Sequence, residues 1–137
     1  MGADPVMKVV RYVLPITLPV VALSACGVVE PYGCTAMLVP GIVVEIHDIA
    51  TGRPLAVGAR GAVQDQDFVD SLVPYGFGDA SPESMFSRQA AFERHGTYRV
   101  HIEVAGYYPY DTTGVQVRQA RCHVETAHLK ARLTSSP

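Results

Sequence analysis

Alternation of apolar and polar residues with a period of two marks the two clearest strands of the chain. Residues 42–48 place isoleucine and valine on one face, with Glu45 and His47 on the other. Residues 98–104 repeat this pattern after Gly96. Because successive side chains of a strand point to opposite sides, each stretch predicts a strand with one face in the core.

Weaker strand patterns fill much of the remaining chain. They cover residues 55–63, 115–117 and 122–133. The polar stretch 64–89 is rich in aspartate, glycine and proline, which predicts an irregular insertion, and Pro82 could open one or two helical turns over 83–92. No stretch keeps a 3.6-residue period for three turns. We therefore predict an all-β fold, an antiparallel β-sandwich of about seven strands.

The start of the chain has the three-part layout of a secretory signal. Lys8 and Arg11 precede an apolar run over residues 12–23, and small residues follow. As a helix this run would rise only about 18 Å, short of a hydrocarbon core of about 30 Å. The pattern predicts a cleaved signal rather than a membrane span, with translation starting at either Met1 or Met7.

The end of this signal, Leu23-Ser24-Ala25-Cys26, resembles the lipobox of bacterial lipoproteins. The resemblance implies cleavage before Cys26 and a lipid on that cysteine as the membrane anchor. An aspartate after the cysteine would favour the inner membrane, so Gly27 points to the outer membrane, facing the periplasm. The alternatives are an ordinary secreted protein with a fortuitous Cys26, or a buried helix that imitates a signal.

This interpretation divides the chain into four segments. They are a signal peptide over 1–25, a lipidated cysteine and short tether over 26–39, the sandwich over 40–133 and a frayed end over 134–137.

Two further cysteines are left for the exported domain. Export leads to an oxidising compartment, where Cys34 and Cys122 allow a single pairing. We expect a disulfide between them, with two buried thiols, a metal site or a nucleophilic site as alternatives. His123 follows Cys122, but neighbouring strand residues point to opposite faces, so the adjacency is weak support for catalysis.

The charge of the chain excludes some partners. A net charge of −2 is the opposite of the basic surface that binds nucleic acid phosphates, and the basic residues form no run that would bind anionic lipids. No phosphate-binding loop or metalloprotease motif is present, and we expect no cofactor.

Three short motifs then fall into a recognisable order. Residues 48–55 read Asp-Ile-Ala-Thr-Gly-Arg-Pro-Leu, residues 96–100 read Gly-Thr-Tyr-Arg-Val, and residues 105–107 read Ala-Gly-Tyr. With the strands between them they resemble the carboxypeptidase regulatory-like domain, a transthyretin-like (prealbumin-type) β-sandwich, over most of residues 40–133. The resemblance implies an accessory or binding module without an active site, and it implies no specific ligand.

Enzymes related to that fold carry signatures that this chain lacks. Transthyretin-related hydroxyisourate hydrolases end in Tyr-Arg-Gly-Ser, whereas this chain ends in Thr-Ser-Ser-Pro. Intradiol dioxygenases hold iron with a His-x-His pair, and no such pair occurs here.

Glutamate and histidine stand two positions apart in three predicted strands, so each pair shares one face. If the strands were neighbours, the pairs could gather on one surface and bind zinc. We instead expect a solvated face with paired charges and no metal. The three pairs are Glu45 with His47, His101 with Glu103, and His123 with Glu125.

Two other groups are candidate binding residues. Asp65, Asp67 and Asp70 could bind calcium, but their spacing fails the rule for a calcium loop, and we expect a solvated turn. Tyrosines suit protein or glycan contacts because they combine apolar area with a polar tip. The tyrosine candidates are Tyr107, Tyr108 and Tyr110, of which Tyr107 could equally be a packed turn residue.

These observations predict a lipid-anchored, non-enzymatic β-sandwich of the cell envelope that binds or scaffolds another component. Its expected partners are the membrane, through the lipid, and an envelope protein or glycan. The alternative is a metal-dependent or hydrolytic envelope enzyme that uses the Glu/His pairs.

Overall fold

The computed structural model describes residues 33–76 and 82–137. The predicted signal, Cys26 and the first part of the tether lie outside these residues. Within the described ranges, no helix is long and apolar enough to cross a membrane.

Nine strands lie in the described residues and form a sandwich of two sheets. The first sheet has four strands in the order β4-β5-β1-β9, and the second has five in the order β3-β2-β6-β7-β8. The strands are β1 (Ile42–Asp48), β2 (Arg60–Asp65), β3 (Phe68–Ser71), β4 (Val73–Pro74), β5 (Ser87–Ala90), β6 (Gly96–Glu103), β7 (Tyr110–Gln119), β8 (Val124–Glu125) and β9 (Ala127–Leu133). The predicted all-β sandwich is confirmed.

The central strand of the four-stranded sheet is β1. It pairs antiparallel with β5 and parallel with β9. The parallel pair departs from the predicted all-antiparallel arrangement. After β1 the chain passes to the other sheet for β2 and β3, returns for β4 and β5, and adds β9 beside β1 after a second passage through the other sheet, so the first and last long strands run side by side.

The core lies between the two sheets, as the alternation predicts. Ile42, Val44 and Ile46 of β1 are fully buried, and so are Val100 and Ile102 of β6. Their neighbours in sequence reach the outer faces of the sandwich. The side-chain parity of both strands is therefore the one expected from the hydrophobic pattern.

The polar stretch 64–89 is more regular than predicted. It contains the end of β2, the strands β3 and β4 and most of β5, with a 3-10 turn over Pro82–Met85 in place of the expected helical turns. The four residues of β5 form a strand because they pair with β1, whose other edge is taken by β9. Pairing with a buried partner strand outweighs weak local propensity.

The strand predicted over residues 55–63 also begins later. Ala56–Gly58 form a 3-10 turn, and β2 starts at Arg60. Leu55 and Ala56 are buried in this turn, so their apolar character reflects core contact rather than strand structure.

Gly61 of β2 allows a close approach between strands and gives a test of the core. A Cβ at this position would overlap the backbone carbonyl of His101 and crowd the side chain of Leu72. We expect Gly61→Ala to lower the free energy of unfolding by about 1–3 kcal/mol, the usual range for overpacking. Urea denaturation measures this change in the free energy of unfolding. Gly58→Ala is the matched control, since a Cβ there has nothing within 4 Å. Equal stability of the two variants would contradict the close approach.

Candidate functional site

The segment before β1 is tied to the last third of the chain by a set of contacts that we call the N-terminal clamp. Its covalent part is the predicted disulfide between Cys34 and Cys122, which is present, with 5.4 Å between the two Cα atoms. The bridge joins positions 88 residues apart in sequence. It attaches the described start of the tether next to β8.

The polar part of the clamp centres on His123. Its Nδ1 lies 2.8 Å from a carboxylate oxygen of Glu93, and its Nε2 lies 3.0 Å from the hydroxyl of Thr35. The carboxylate can only accept, so Nδ1 donates to Glu93, and Nε2 contacts the hydroxyl of Thr35, which can either donate or accept. The pKa of Glu93 is lowered because its carboxylate accepts the backbone N–H of Val39, and secondly because of His123.

Backbone hydrogen bonds complete the clamp. The N–H of Gly41 donates to the carbonyl of Ala91 at 3.0 Å, and the N–H of Ala127 donates to the carbonyl of Gly41 at 2.7 Å. The hydroxyl of Thr126 donates to the carbonyl of Pro40 at 2.8 Å. Contacts at both ends of the segment hold residues 34–41 in one place.

The clamp resembles the relay of a hydrolase, since a hydroxyl, an imidazole and a carboxylate are hydrogen-bonded in series. It also holds the backbone of the segment before β1. Glu93 also accepts the N–H of Val39 at 2.7 Å, so the carboxylate holds the backbone as well as the ring. The groove described next is lined by neither Thr35 nor His123.

An apolar groove of about 720 Å³ lies beside the clamp. Its floor is the outer face of the four-stranded sheet at Val43, which stands in register with Gln89 of β5 and His128 of β9. Val73 of β4 and Phe92 also line the groove. The clamped segment forms the other side of the groove through residues 37–40.

Two of the polar side chains that line the groove have hydrogen-bond partners within the protein, and Tyr75 and His128 add further polar groups to the lining. Gln89 donates its side-chain N–H to the carbonyl of Pro74 at 3.0 Å, and Thr126 donates to Pro40. None of the described residues that line the groove is Asp, Glu, Lys or Arg. The groove therefore presents aliphatic and aromatic surface to its contents, as small-molecule and lipid sites do.

Sequence reasoning missed this groove, although two signals point to it. Val43 is apolar at a position where the alternation of β1 calls for a polar residue, and it is only 6% exposed. The apolar run over residues 37–39 stands outside any strand pattern. An apolar side chain on the outer face of a sheet is stabilised when another segment shields it from water. The segment before β1 shields Val43 in this way.

The Glu/His pairs do not gather on one surface. His47 lies 3.7 Å from Glu45 on the four-stranded sheet, while His101 lies on the five-stranded sheet, so the two imidazoles occupy different outer faces. His123 is in a bend before β8 and pairs with Glu93 rather than with Glu125. The three pairs therefore do not form one metal site, because β1 and β6 belong to different sheets.

The region around His101 is instead an exposed ionic cluster. Arg99 donates two hydrogen bonds to Asp111 at 2.8 and 2.6 Å, which, together with His101, lower the pKa of Asp111 to about 2. The ring nitrogens of His101 lie 3.2 Å from Glu103 and 3.0 Å from Asp111. Since carboxylates favour the imidazolium form, first Glu103 and then Asp111 raise the pKa of His101.

The three tyrosines have separate roles. Tyr107 donates its hydroxyl to Asp48 at 2.8 Å and accepts a hydrogen bond from Arg53 at 3.1 Å. Its hydroxyl and then the N–H of Thr51 lower the pKa of Asp48. Tyr110 packs against the core, whereas Tyr108 is 54% exposed. Tyr108 is thus the member of this set that is best placed for an external contact.

The aspartates of the polar stretch are also spread apart. Asp70 accepts the backbone N–H of Ala91 at 2.8 Å, and Asp67 is exposed in the turn between β2 and β3. In the part of the chain that the structure describes, no three His, Cys, Asp or Glu side chains are grouped as metal ligands.

Comparison with known proteins assigns the chain to no family. No protein-family model and no curated protein matches the chain.

The ionic cluster predicts a pH dependence. The lowered pKa of Asp111 contributes stability above its usual pKa of 3.8, which is lost as the pH falls toward 2. The raised pKa of His101 contributes stability below 6.5, which is lost as the pH rises through the folded-state pKa. We expect Asp111→Asn to lower the pKa of His101, measured by NMR titration of its ring protons. Asp67→Asn is the control, and an equal shift in both variants would contradict the assigned contacts.

The disulfide predicts a loss of stability on its removal. Replacing Cys34 and Cys122 by serine should lower the free energy of unfolding by up to about 4–5 kcal/mol, because the unfolded chain is no longer closed over a long loop. Thermal and urea unfolding measure the loss in a Cys26→Ser background, which retains the bridge and is the control. Titration of that unfolded, unreduced control should find no thiol, and two thiols would contradict the pairing.

Proposed function

We propose that this protein is a lipid-anchored, non-enzymatic β-sandwich of the bacterial cell envelope that acts as a binding or scaffolding module. The observation that carries the proposal is the N-terminal clamp, which follows the lipobox-like Leu23-Ser24-Ala25-Cys26 closely in sequence. Cys34 is eight residues after Cys26 and is bonded to Cys122. A lipid at Cys26 would be linked to the folded domain at a covalently secured position.

The length of this link supports a role close to the membrane. Eight residues span at most about 28 Å when fully extended, at 3.3–3.6 Å per residue. The domain therefore stays within about its own diameter of the lipid. A clamp at this point also resists peeling of the tether when the anchored domain is pulled by a partner.

The distribution of polar groups supports a non-enzymatic role. His101 and Asp111 neutralise one another on an exposed face, and His123 is engaged at both ring nitrogens. The apolar groove is lined by none of these three residues. A catalytic site would instead combine a pocket with convergent polar groups of perturbed pKa.

We further propose membership of the carboxypeptidase regulatory-like, transthyretin-like group. The turn that contains Asp48 and Gly52 meets the turn that contains Gly106 and Tyr107, through the hydrogen bond from Tyr107 to Asp48. Both glycines have positive φ, 71° and 81°, which suits the motif positions. This hydrogen bond joins two motif segments that are far apart in sequence.

The proposed location is the outer membrane facing the periplasm, by the resemblance that involves Gly27. The proposed partners, besides the membrane, are an envelope protein or a glycan. Tyr108 offers exposed aromatic area for such a contact.

The lipid anchor can be tested by the intact mass of the mature protein from a bacterial host. We expect a diacyl or triacyl adduct on an amino-terminal Cys26 and recovery in the membrane fraction. Cys26→Ser should abolish both the adduct and the membrane association. Cys34→Ser is the control, since it removes a cysteine outside the lipobox and should leave the adduct in place. An unmodified product that begins at another residue would contradict the proposal.

A further inference from the structure

We propose that the apolar groove beside the N-terminal clamp is the surface on which the domain rests against the bilayer, with Met37 and Leu38 inserted among lipid acyl chains. This inference rests on the proposed lipid anchor and adds an orientation to it. Its occupant is the membrane surface itself.

The exposure of the groove rim is the first observation. Met37 and Leu38 are 68% and 66% exposed although they are large apolar side chains. They line the groove together with Val73, which is 40% exposed, while Val43 beneath them is 6% exposed, so Met37, Leu38 and Val73 supply the exposed apolar surface. Exposed apolar surface of this kind marks contact sites for proteins or membranes.

The polarity of the groove is the second observation. Its described lining carries no Asp, Glu, Lys or Arg, and Gln89 and Thr126 are hydrogen-bonded to Pro74 and Pro40. Entering hydrocarbon is costly for charges and for polar groups that lose their partners. Tyr75 and His128 also line the groove and add polar groups to it, so the contact with acyl chains is assigned to the apolar rim at Met37 and Leu38.

The position of the rim relative to the anchor is the third observation. The clamp holds residues 34–41, and Met37 lies three residues after Cys34, on the segment that leads directly from Cys26. The eight residue steps from Cys26 to Cys34 keep this segment within about 28 Å of the lipid. The rim is therefore the described exposed apolar surface that follows the anchor most closely along the chain.

The opposite outer face has the reverse character. The five-stranded sheet carries Arg99, His101, Glu103 and Asp111 as an exposed ionic cluster. With the groove on the bilayer, this charged face points to the aqueous compartment. The apolar rim therefore lies on a different face of the sandwich from this cluster, and on its own face it lies at the opposite end of β1 from the ionic group of Glu45, His47 and Lys130.

The absence of tryptophan from the chain permits a direct test. Leu38→Trp places a single fluorophore on the rim, and Val69→Trp places one on the five-stranded sheet, where Val69 is 60% exposed beside Arg99 and His101. The full chain is expressed, and the mature lipidated protein is reconstituted in phosphatidylcholine vesicles with or without bromine on the acyl chains. Bromine quenches tryptophan only at short range.

We expect the brominated lipid to reduce the emission of Leu38→Trp by at least about twofold, as for an apolar side chain buried roughly 5–10 Å into the interface. The emission of Val69→Trp should stay unchanged. The emission of Met37→Trp should be quenched as strongly as that of Leu38→Trp. Agreement between the two variants shows that the quenching does not come from a local effect of one substitution. Thiol titration after unfolding verifies that each variant retains the disulfide.

The remaining outcomes overturn the inference. Equal quenching of the rim and control positions would mean that the domain has no preferred face toward the bilayer. A blue-shifted, unquenched Leu38→Trp with a doubled mass in solution would assign the groove to a second copy of the chain. No quenching at the rim of a protein that carries the lipid and floats with vesicles would reject the groove contact alone. A protein without lipid that fails to float would reject the anchor itself.

Discussion

The rest of the structure depends on the double pairing of β1. This strand is fully buried on one face through Ile42, Val44 and Ile46, and both of its edges are occupied, by β5 and by β9. Because β9 is the last strand, this pairing brings the end of the chain beside its described beginning. The clamp is possible only because these two parts of the chain are already neighbours.

The outer face of β1 changes character along its length. At one end Val43 is covered by the clamped segment and forms the floor of the groove. Further along, Glu45 lies within 3.7 Å of His47 and 3.5 Å of Lys130, in a partly exposed ionic group. One strand thus carries an apolar surface near the tether and a polar surface away from it.

Cross-links between distant turns and segments give the sandwich its defined ends. The disulfide and the Thr35–His123–Glu93 contacts secure the segment before β1, while Tyr107 joins two turns through Asp48. Side-chain hydrogen bonds to ionised carboxylates are stronger than those between neutral groups. The two sets therefore restrain segments that backbone pairing alone would leave at the edge of the fold.

The sequence by itself determined the class of fold, the parity of β1 and β6 and the pairing of Cys34 with Cys122. Strand parity follows from the side-chain period of two, and once Cys26 is assigned to the lipobox-like motif, Cys34 and Cys122 are the two cysteines left to pair. Tertiary structure alone decided that β5 is a strand, that His123 pairs with Glu93 and that Val43 lies under a groove. These features depend on which segments become neighbours, and contacts between residues far apart in sequence leave no local periodicity to reveal them.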